Sequence, residues 1–243
     1  MKLSYDLHLH SCLSPCGDDL MTPANMAGMG MLIGLQVMAL TDHNSTRNCP
    51  AFFKACEGYG IVPIAGMELS TAEDVHLVCL FPTLAAAMAF EEAYAPHRMP
   101  IDNDPEIYGN QYVMNEKDEV IDEMKPLLIA ASDLWMGDAV DMVRSFGGVV
   151  YPAHIDRDSS GIIAMLGDIP SDYHFTAVEY RDGSKRAEYE ALYPEACGKK
   201  IVVSSDAHML DRISEAVNFF DLPLDETATH DEIRQAILQY LRE

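Results

Sequence analysis

The 243-residue chain is 49% apolar, enough to form a sizeable core in one large α/β domain or two small ones. Its 39 acidic and 16 basic residues give a formal net charge of -23, and such a surface repels a phosphate backbone. We therefore expect no long nucleic-acid partner. No apolar run approaches the roughly 20 residues of a membrane span, so we expect no membrane partner either.

The beginning of the chain and its cysteines indicate a compartment. The first residues enter a strand directly, without a signal-peptide pattern. The six cysteines are scattered and form no CxxC pair, as is typical of a cytosolic chain with reduced thiols. We expect a cytoplasmic protein, and the sequence contains no signal for an oligomeric state.

The first third of the chain alternates strands with helices. The strand Leu3–His10 carries His8 and His10 two residues apart, so both imidazoles share one face and are able to bind one cation. Thr22 and Pro23 are typical of a helix start, and Gly34 of its end. The predicted elements after the first strand are a helix over 22–33, a strand over 36–41, a helix over 49–59 and strands over 61–67 and 75–81.

The regular alternation stops after an Ala-rich helix over 83–95. Residues 96–131 contain several prolines, many acids and no clear strand, so we expect a small, mostly helical insertion within a single catalytic domain over 1–243. The insertion is either a cap that selects substrate or a surface excursion. Alternation then resumes with helices over 133–146, 158–167, 185–197 and 229–242 and strands over 147–153, 175–181, 200–205 and 218–221.

Nearly every predicted strand is followed by a metal-ligand type of side chain. In parallel α/β folds the active site lies at the carboxyl ends of the strands, so these side chains are expected to meet. Imidazoles and carboxylates without cysteine suit Mn, Fe or Zn, and the number of ligands is too large for one ion. The converging candidates are His8, His10, Asp42, His43, Glu68, His76, His154, Asp206 and His208.

These residues lie in segments that resemble, in order, the motifs of the PHP (polymerase and histidinol phosphatase) superfamily. The segments are His8-Leu9-His10, Thr41-Asp42-His43-Asn44, Gly66-Met67-Glu68, Val75-His76-Leu77, Pro152-Ala153-His154 and Ser205-Asp206-Ala207-His208. The resemblance implies an α/β fold, a distorted (β/α)7 barrel, with three divalent metal ions (Mn, Fe or Zn). It implies a first ion on His8, His10, Glu68 and Asp206, a second on Glu68, His76 and His154, and a third on Asp18, His43 and His208.

The loop after the first strand departs from the family pattern, in which Ser-Asp-Gly is usual. Here it reads Ser11-Cys12-Leu13-Ser14-Pro15-Cys16-Gly17-Asp18-Asp19, and either Asp18 or Asp19 is the candidate ligand. Cys12 and Cys16 suit loop packing better than metal contact or a redox-sensitive thiol. Asp42, beside His43, and Asp6, before His8, are interpreted as groups that orient imidazoles.

Neighbouring metal ions that share a hydroxide are suited to attack on phosphorus, so the resemblance implies a phosphoesterase for a small phosphate monoester or short nucleotide. Arg157 and Arg181 are the candidates for binding the substrate phosphate, with Lys185 and Arg186 weaker candidates. The same hydroxide would also attack carbonyls, so an amide or lactone hydrolase is a second hypothesis. A non-catalytic metal-binding domain is a third.

Overall fold

A computed structural model describes residues 1 to 243 and contains ten strands and eight α-helices. The strands are Lys2–Asp6 (β1), Val37–Leu40 (β2), Val62–Ser70 (β3), His76–Phe81 (β4), Tyr112–Met114 (β5), Val120–Glu123 (β6), Val149–Pro152 (β7), Ala177–Tyr180 (β8), Lys200–Val203 (β9) and Phe219–Asp221 (β10). The helices are Pro23–Ile33 (α1), Cys49–Tyr59 (α2), Leu84–Tyr94 (α3), Pro105–Tyr108 (α4), Met136–Ser145 (α5), Ile162–Leu166 (α6), Arg186–Leu192 (α7) and His230–Arg242 (α8). None of these helices combines the length and apolar character needed to cross a bilayer.

Local sequence signals explain where several helices begin and end. In α1, the Thr22 side chain accepts a hydrogen bond from the backbone N–H of Asn25, and Pro23 occupies the first turn. Gly34 ends this helix with φ = 83°, a left-handed conformation that glycine adopts without a steric penalty. Helix α8 begins with a capping box in which Thr229 and Glu232 bind each other's backbone.

Six strands form one sheet in the order β10-β1-β2-β3-β4-β7, and β8 and β9 form a separate parallel pair. Strands β1, β2 and β3 are parallel, whereas β4 is antiparallel to both β3 and β7. The predicted α/β class is confirmed. The hydrogen-bonded strand ladders do not continue on either side of the β8–β9 pair. Only isolated contacts, such as the Leu9–Ala207 bridge, occur there. A complete (β/α)7 barrel therefore stays a prediction.

Two apolar clusters lie on the two faces of the curled sheet. The larger one, of 37 buried residues, includes Met38 from β2 and Phe52 from α2. The smaller one, of 20 buried residues, joins Ile64 of β3 to Ile237 and Leu241 of α8. Because Ile237 and Leu241 are four residues apart, they lie on one face of α8, and this face covers the sheet.

The segment 96–131 is not mostly helical, so this expectation was wrong. It contains the four-residue helix α4 and then an antiparallel hairpin of β5 and β6. The side-chain oxygen of Asn115 accepts hydrogen bonds from the backbone N–H groups of Lys117 and Glu119 and so stabilises the hairpin turn. Strands of three and four residues are too short to show a clear alternation of apolar and polar residues.

This segment is held against the loop that follows β2. The side chain of Asn48 donates to the carbonyl oxygen of Tyr112 and accepts from the N–H of Met114. The Asn44 side chain donates to the carbonyl oxygens of Leu128 and Ala130 at 2.7 and 2.8 Å. Both asparagines are buried, so the segment is fixed beside the residues that follow β2.

Candidate metal centre

Eight of the predicted ligands lie together at one edge of the sheet. They come from segments far apart in the chain because the carboxyl ends of parallel strands share an edge. Glu68 lies within β3, and His76 opens the antiparallel strand β4, which returns beside it. The other six follow the ends of β1, β2, β7 and β9, and they are His8, His10, His43, His154, Asp206 and His208.

Four of these side chains converge on one point. The Nε2 atoms of His8 and His10 are 3.1 Å apart, and Nε2 of His10 lies 3.2 Å from Oδ1 of Asp206 and 3.2 Å from Oε2 of Glu68. A metal ion about 2.1 Å from each of its ligands holds neighbouring ligand atoms about 3.0–3.4 Å apart in octahedral or tetrahedral geometry. The spacing therefore suits one ion held by His8, His10, Glu68 and Asp206.

Glu68 connects this group to the remaining histidines. Its Oε1 lies 2.8 Å from Nδ1 of His76 and 3.0 Å from Nε2 of His154, and its Oε2 lies 2.9 Å from Nδ1 of His43. His43, Glu68 and His76 form a second group with metal-ligand spacing, and His10, His43 and His208 form a third. A fully buried carboxylate among so many imidazoles is suited to bridging ions.

Several atoms of the cluster are buried without a hydrogen-bond partner. Among them are Oε2 of Glu68, Oδ1 of Asp206 and Nδ1 of His43. Oε2 of Glu68 and Nδ1 of His43 are only 2.9 Å apart, yet their orientation does not form a hydrogen bond. Buried polar atoms rarely stay unpaired, and cations bound in the cluster would satisfy all three. The donor set therefore fits divalent metal ions.

Burial and neighbouring charges set the protonation of these groups. Burial lowers the pKa of His43 to about 4 and that of His208 to about 3, so both imidazoles are neutral at pH 7. Burial also acts to lower the pKa of His10, but the adjacent carboxylates of Asp206 and Glu68 raise it to about 9. A cation that takes His10 as a ligand has to displace a proton, so it binds more tightly as the pH rises.

The candidate ligands of the first loop are placed differently. Asp18 belongs to none of the groups with metal-ligand spacing, and its Oδ1 accepts a hydrogen bond from the N–H of Leu20. Asp19 instead binds the Asn110 side chain. The backbone N–H of Asp18 does bind the carbonyl oxygen of His208, so its loop borders the cluster. The assignment of Asp18 as a ligand stays a prediction.

Asp42 acts on the cluster through the loop after β1. Its buried carboxylate accepts hydrogen bonds from the N–H and hydroxyl of Ser11 and from the hydroxyl of Ser14. The Ser14 hydroxyl lies 3.0 Å from Nδ1 of His10. Asp42 thus reaches the His10 imidazole through Ser14. Asp6, by contrast, accepts from backbone N–H groups, including that of His8, and does not bind an imidazole.

Glu179 is a buried carboxylate that sequence reasoning missed. Its Oε1 lies 2.8 Å from Nδ1 of His8 and accepts a hydrogen bond from the backbone N–H of His154 at 3.1 Å. A carboxylate on Nδ1 leaves Nε2 of His8 to face the cluster, which is the usual arrangement around a ligating histidine. The available signal was a single acid inside the apolar strand β8.

The two candidate phosphate-binding arginines lie in different surroundings. Nη1 of Arg157 donates to Oδ2 of Asp206 at 2.9 Å, and 35% of the Arg157 side chain remains exposed. The side chain of Arg181 is exposed and makes no hydrogen bond or ion pair, although its backbone N–H binds the buried Asp156. The structure therefore brings Arg157 to the cluster and leaves Arg181 free at the end of β8.

Fold and cluster together define an α/β protein with a carboxylate-bridged histidine site suited to several metal ions. The chain belongs to the PHP domain family, whose model matches residues 6–145. The family resemblance read from the motifs is thus confirmed. The match ends before His154, Asp206 and His208, which join the same cluster from the second half.

Solved structures with the same fold cover nearly the whole chain. Endonuclease Q from Pyrococcus furiosus is 20% identical with a TM-score of 0.69 over 98% of this chain, but this chain spans only 56% of that one. A proposed metal-dependent phosphoesterase from Bifidobacterium adolescentis is 16% identical with a TM-score of 0.58, covering 96% of this chain and 95% of that one. An amidohydrolase from Chromobacterium violaceum is 19% identical with a TM-score of 0.57, covering 90% and 92%. No curated protein sequence matches the chain. Family and neighbours support a hydrolase.

The expectation that this protein has no long nucleic-acid partner was wrong. Endonuclease Q has also been solved with a 27-mer duplex that carries an abasic lesion at the active site, and that structure is 20% identical with a TM-score of 0.65. This fold therefore occurs in a protein that binds duplex DNA. Net charge averages the whole surface, whereas a phosphate backbone meets only the local charges and metal ions of a site.

Proposed function

We propose that this chain is a metal-dependent phosphoesterase. The observation that carries the proposal is the convergence of eight imidazole and carboxylate ligands with Arg157 hydrogen bonded to one of them, Asp206. A multi-metal site beside a guanidinium provides the two kinds of positive charge that stabilise a phosphoryl group during transfer.

The family and the spacing of the ligand atoms support a site for more than one metal ion. We propose that the number of ions is three. Manganese, iron and zinc all suit nitrogen and oxygen ligands. The first ion would take His8, His10, Glu68 and Asp206, whose ligand atoms already have suitable spacing. When bound, the ions would activate water and offset charge that develops on the substrate. The other two would share the remaining side chains, which are His43, His76, His154 and His208, with Asp18 as a further candidate.

Arg157 is proposed to bind the substrate phosphate. One terminal nitrogen is engaged by Asp206, so the guanidinium is oriented at the edge of the cluster. Its other N–H groups have no partner and its side chain is partly exposed, so they are available to oxygen atoms of a phosphate. Arg181 is proposed as a second, more mobile contact, because no side-chain bond fixes it.

The proposed substrate is a small phosphate monoester or short nucleotide. The segment 96–131 supports this size because Asn44 and Asn48 anchor it next to His43, where it is able to act as a cap. Duplex DNA is a second candidate, favoured by the shared fold with the lesion-specific endonuclease. A single catalytic domain over 1–243, a complete (β/α)7 barrel and a cytoplasmic location also remain proposals.

An amide or lactone hydrolase is the alternative reaction, favoured by the fold likeness to an amidohydrolase. The same ligands and the same activated water would serve attack on a carbonyl carbon. Arg157 distinguishes the two reactions, since its fork suits a phosphoryl group and is not required for a neutral amide. A non-catalytic metal-binding domain is the remaining alternative, and it predicts metal binding without turnover.

The test is hydrolysis of a substrate panel by protein stripped of metal and reloaded with Mn, Fe or Zn. The panel contains phosphate monoesters, short diesters, duplex DNA with an abasic site, amides and lactones. Phosphate release or strand cleavage that requires metal and is lost in the His8→Ala/His10→Ala variant would support the phosphoesterase. Turnover of carbonyl substrates alone, or bound metal without any turnover, would refute it.

The role of Arg157 needs its own comparison. Arg157→Ala should lower kcat/KM for phosphate esters by roughly 10- to 100-fold, since it removes a charged hydrogen-bond donor worth about 1.5–3 kcal/mol. Arg212→Ala is the matched control, because the Arg212 side chain is largely exposed and its ion pair is with Asp211 and not with a metal ligand. Equal activity of both variants would exclude the proposed phosphate contact.

A further inference from the structure

A cleft lined by positively charged side chains lies at the opposite end of the sheet from the metal centre. The cleft, of about 470 Å³, opens at the amino end of β7 and is lined by Arg144, Gly147, His174, Thr176 and Arg242, among others. Five residues along the chain, or about 16 Å at 3.3 Å per residue, separate Val149 in this cleft from His154 at the metal centre. No acidic residue lines the cleft.

Backbone contacts orient both arginines. Nη2 of Arg144 donates to the carbonyl oxygens of Tyr173 at 2.7 Å and His174 at 3.1 Å. The guanidinium of Arg242 donates to the carbonyl oxygen of Gly147. A guanidinium has five N–H donors, so each arginine keeps several free. Both side chains are therefore already ordered in the free protein, so binding a ligand loses less conformational entropy.

Neither arginine is neutralised by a carboxylate. Six of the other arginines lie within ion-pair distance of an acid, and they are Arg47, Arg98, Arg157, Arg186, Arg212 and Arg234. In a chain with 39 acidic residues, two unpaired arginines in one cleft form a local concentration of positive charge. His174 adds an imidazole from a left-handed backbone conformation with φ = 51°, which is uncommon for a residue other than glycine.

A purely structural role would explain only part of this arrangement. Arg144 and Arg242 lie in the last turns of α5 and α8, where positive charge interacts favourably with the helix dipole. That interaction accounts for each arginine separately. It does not account for two helices from distant parts of the chain presenting their arginines to one cleft that lacks acids.

We propose that this cleft binds a ligand through a diphosphate group, as an anion site separate from the metal centre. Two guanidinium forks match two adjacent phosphoryl groups in charge and geometry. The volume exceeds what one phosphate needs and falls within the range of nucleotide and cofactor sites. This proposal concerns binding alone and does not depend on the reaction at the metal centre.

The test is titration of inorganic pyrophosphate into the full chain by calorimetry, with and without a chelator. Chelation removes metal and with it metal-dependent binding of the probe, so binding that resists the chelator and is weakened in the cleft variant reports the cleft. We expect one chelator-resistant site per chain. The Arg144→Gln/Arg242→Gln variant should bind at least tenfold more weakly, since glutamine keeps a donor for the backbone carbonyl and loses the charge.

Lys54→Gln/Arg212→Gln is the matched control, because it removes the same charge from exposed basic side chains outside the cleft. Its affinity for pyrophosphate should equal that of the wild type. The absence of chelator-resistant binding in the wild type, or equal weakening in both variants, would overturn the proposal. If the cleft variant fails to fold, the salt dependence of pyrophosphate binding to the wild type is the test. Its affinity should fall at least tenfold between 50 and 500 mM NaCl, and binding that does not depend on salt would overturn the proposal.

Discussion

Replacing Glu179 by glutamine should weaken metal binding without unfolding the protein. The carboxylate accepts one hydrogen bond from Nδ1 of His8 and one from the backbone N–H of His154. A glutamine of equal size can accept both bonds but carries no charge. A hydrogen bond to a charged group is worth about 1.5–3 kcal/mol, against about 1 kcal/mol for a neutral one.

The substitution therefore weakens the two hydrogen bonds that position His8 and His154 by roughly 1–4 kcal/mol in total. Because about 1.4 kcal/mol corresponds to a tenfold change in binding constant, this loss matches the roughly 10- to 100-fold drop in metal affinity typical of such changes. The drop should appear as lower metal content after dialysis against a graded series of chelator concentrations, measured by elemental analysis.

Glu188→Gln is the control, since Glu188 is an exposed acid on α7 with no contact to the cluster. Circular dichroism should show that both variants are folded. If Glu179→Gln retains metal as tightly as Glu188→Gln, then Glu179 does not position the ligands, and its place beside His8 has another cause.

Three further predictions follow from other positions. Asn44→Ala should destabilise the fold by about 3 kcal/mol or more in urea unfolding, since it removes four hydrogen bonds of a buried side chain; a loss under 1 kcal/mol would contradict this. Gly66→Ala should cost about 1–3 kcal/mol because its Cβ would lie 2.6 Å from a carbonyl oxygen of β4, whereas Gly58→Ala, with open space around it, should stabilise α2 by about 0.5–1 kcal/mol. The lowered pKa values of His43 and His208 mean that the unfolded chain binds more protons between about pH 4 and pH 6.5. The melting temperature of metal-free protein should therefore fall as pH decreases through that window, and the fall should be shallower in His208→Asn.

The ligands at the strand ends were predictable because two signals agree: the apolar pattern of each strand and the rule that active sites lie at the carboxyl ends of parallel strands. Apolar runs marked the strands, and parallel strands bring their carboxyl ends to one edge, so His8, His43 and His154 were expected to meet although they are far apart in sequence. Glu179 obeys no such rule. It lies within a strand, and only the packing of β8 beside β7 brings it to His8.

The two errors have different causes. The β5–β6 hairpin is too short for periodicity to show, and its turn depends on one asparagine side chain, so composition suggested helix or loop instead. The exclusion of nucleic acid used the charge of -23 as if it were spread evenly. The arrangement of Arg157 beside Asp206 shows how far a local site can differ from that average.

The eight clustered ligands are divided unequally along the chain, and this division bears on the order of folding. Five of them, His8, His10, His43, Glu68 and His76, lie within the first 76 residues, and the other three come from residues 154 to 208. During synthesis the first five would emerge well before the last three. An ion captured early would then hold an incomplete shell and gain ligands as the second half of the chain docks. Metal supply during refolding should therefore change the rate at which the two halves join, and not only the stability that they finally reach.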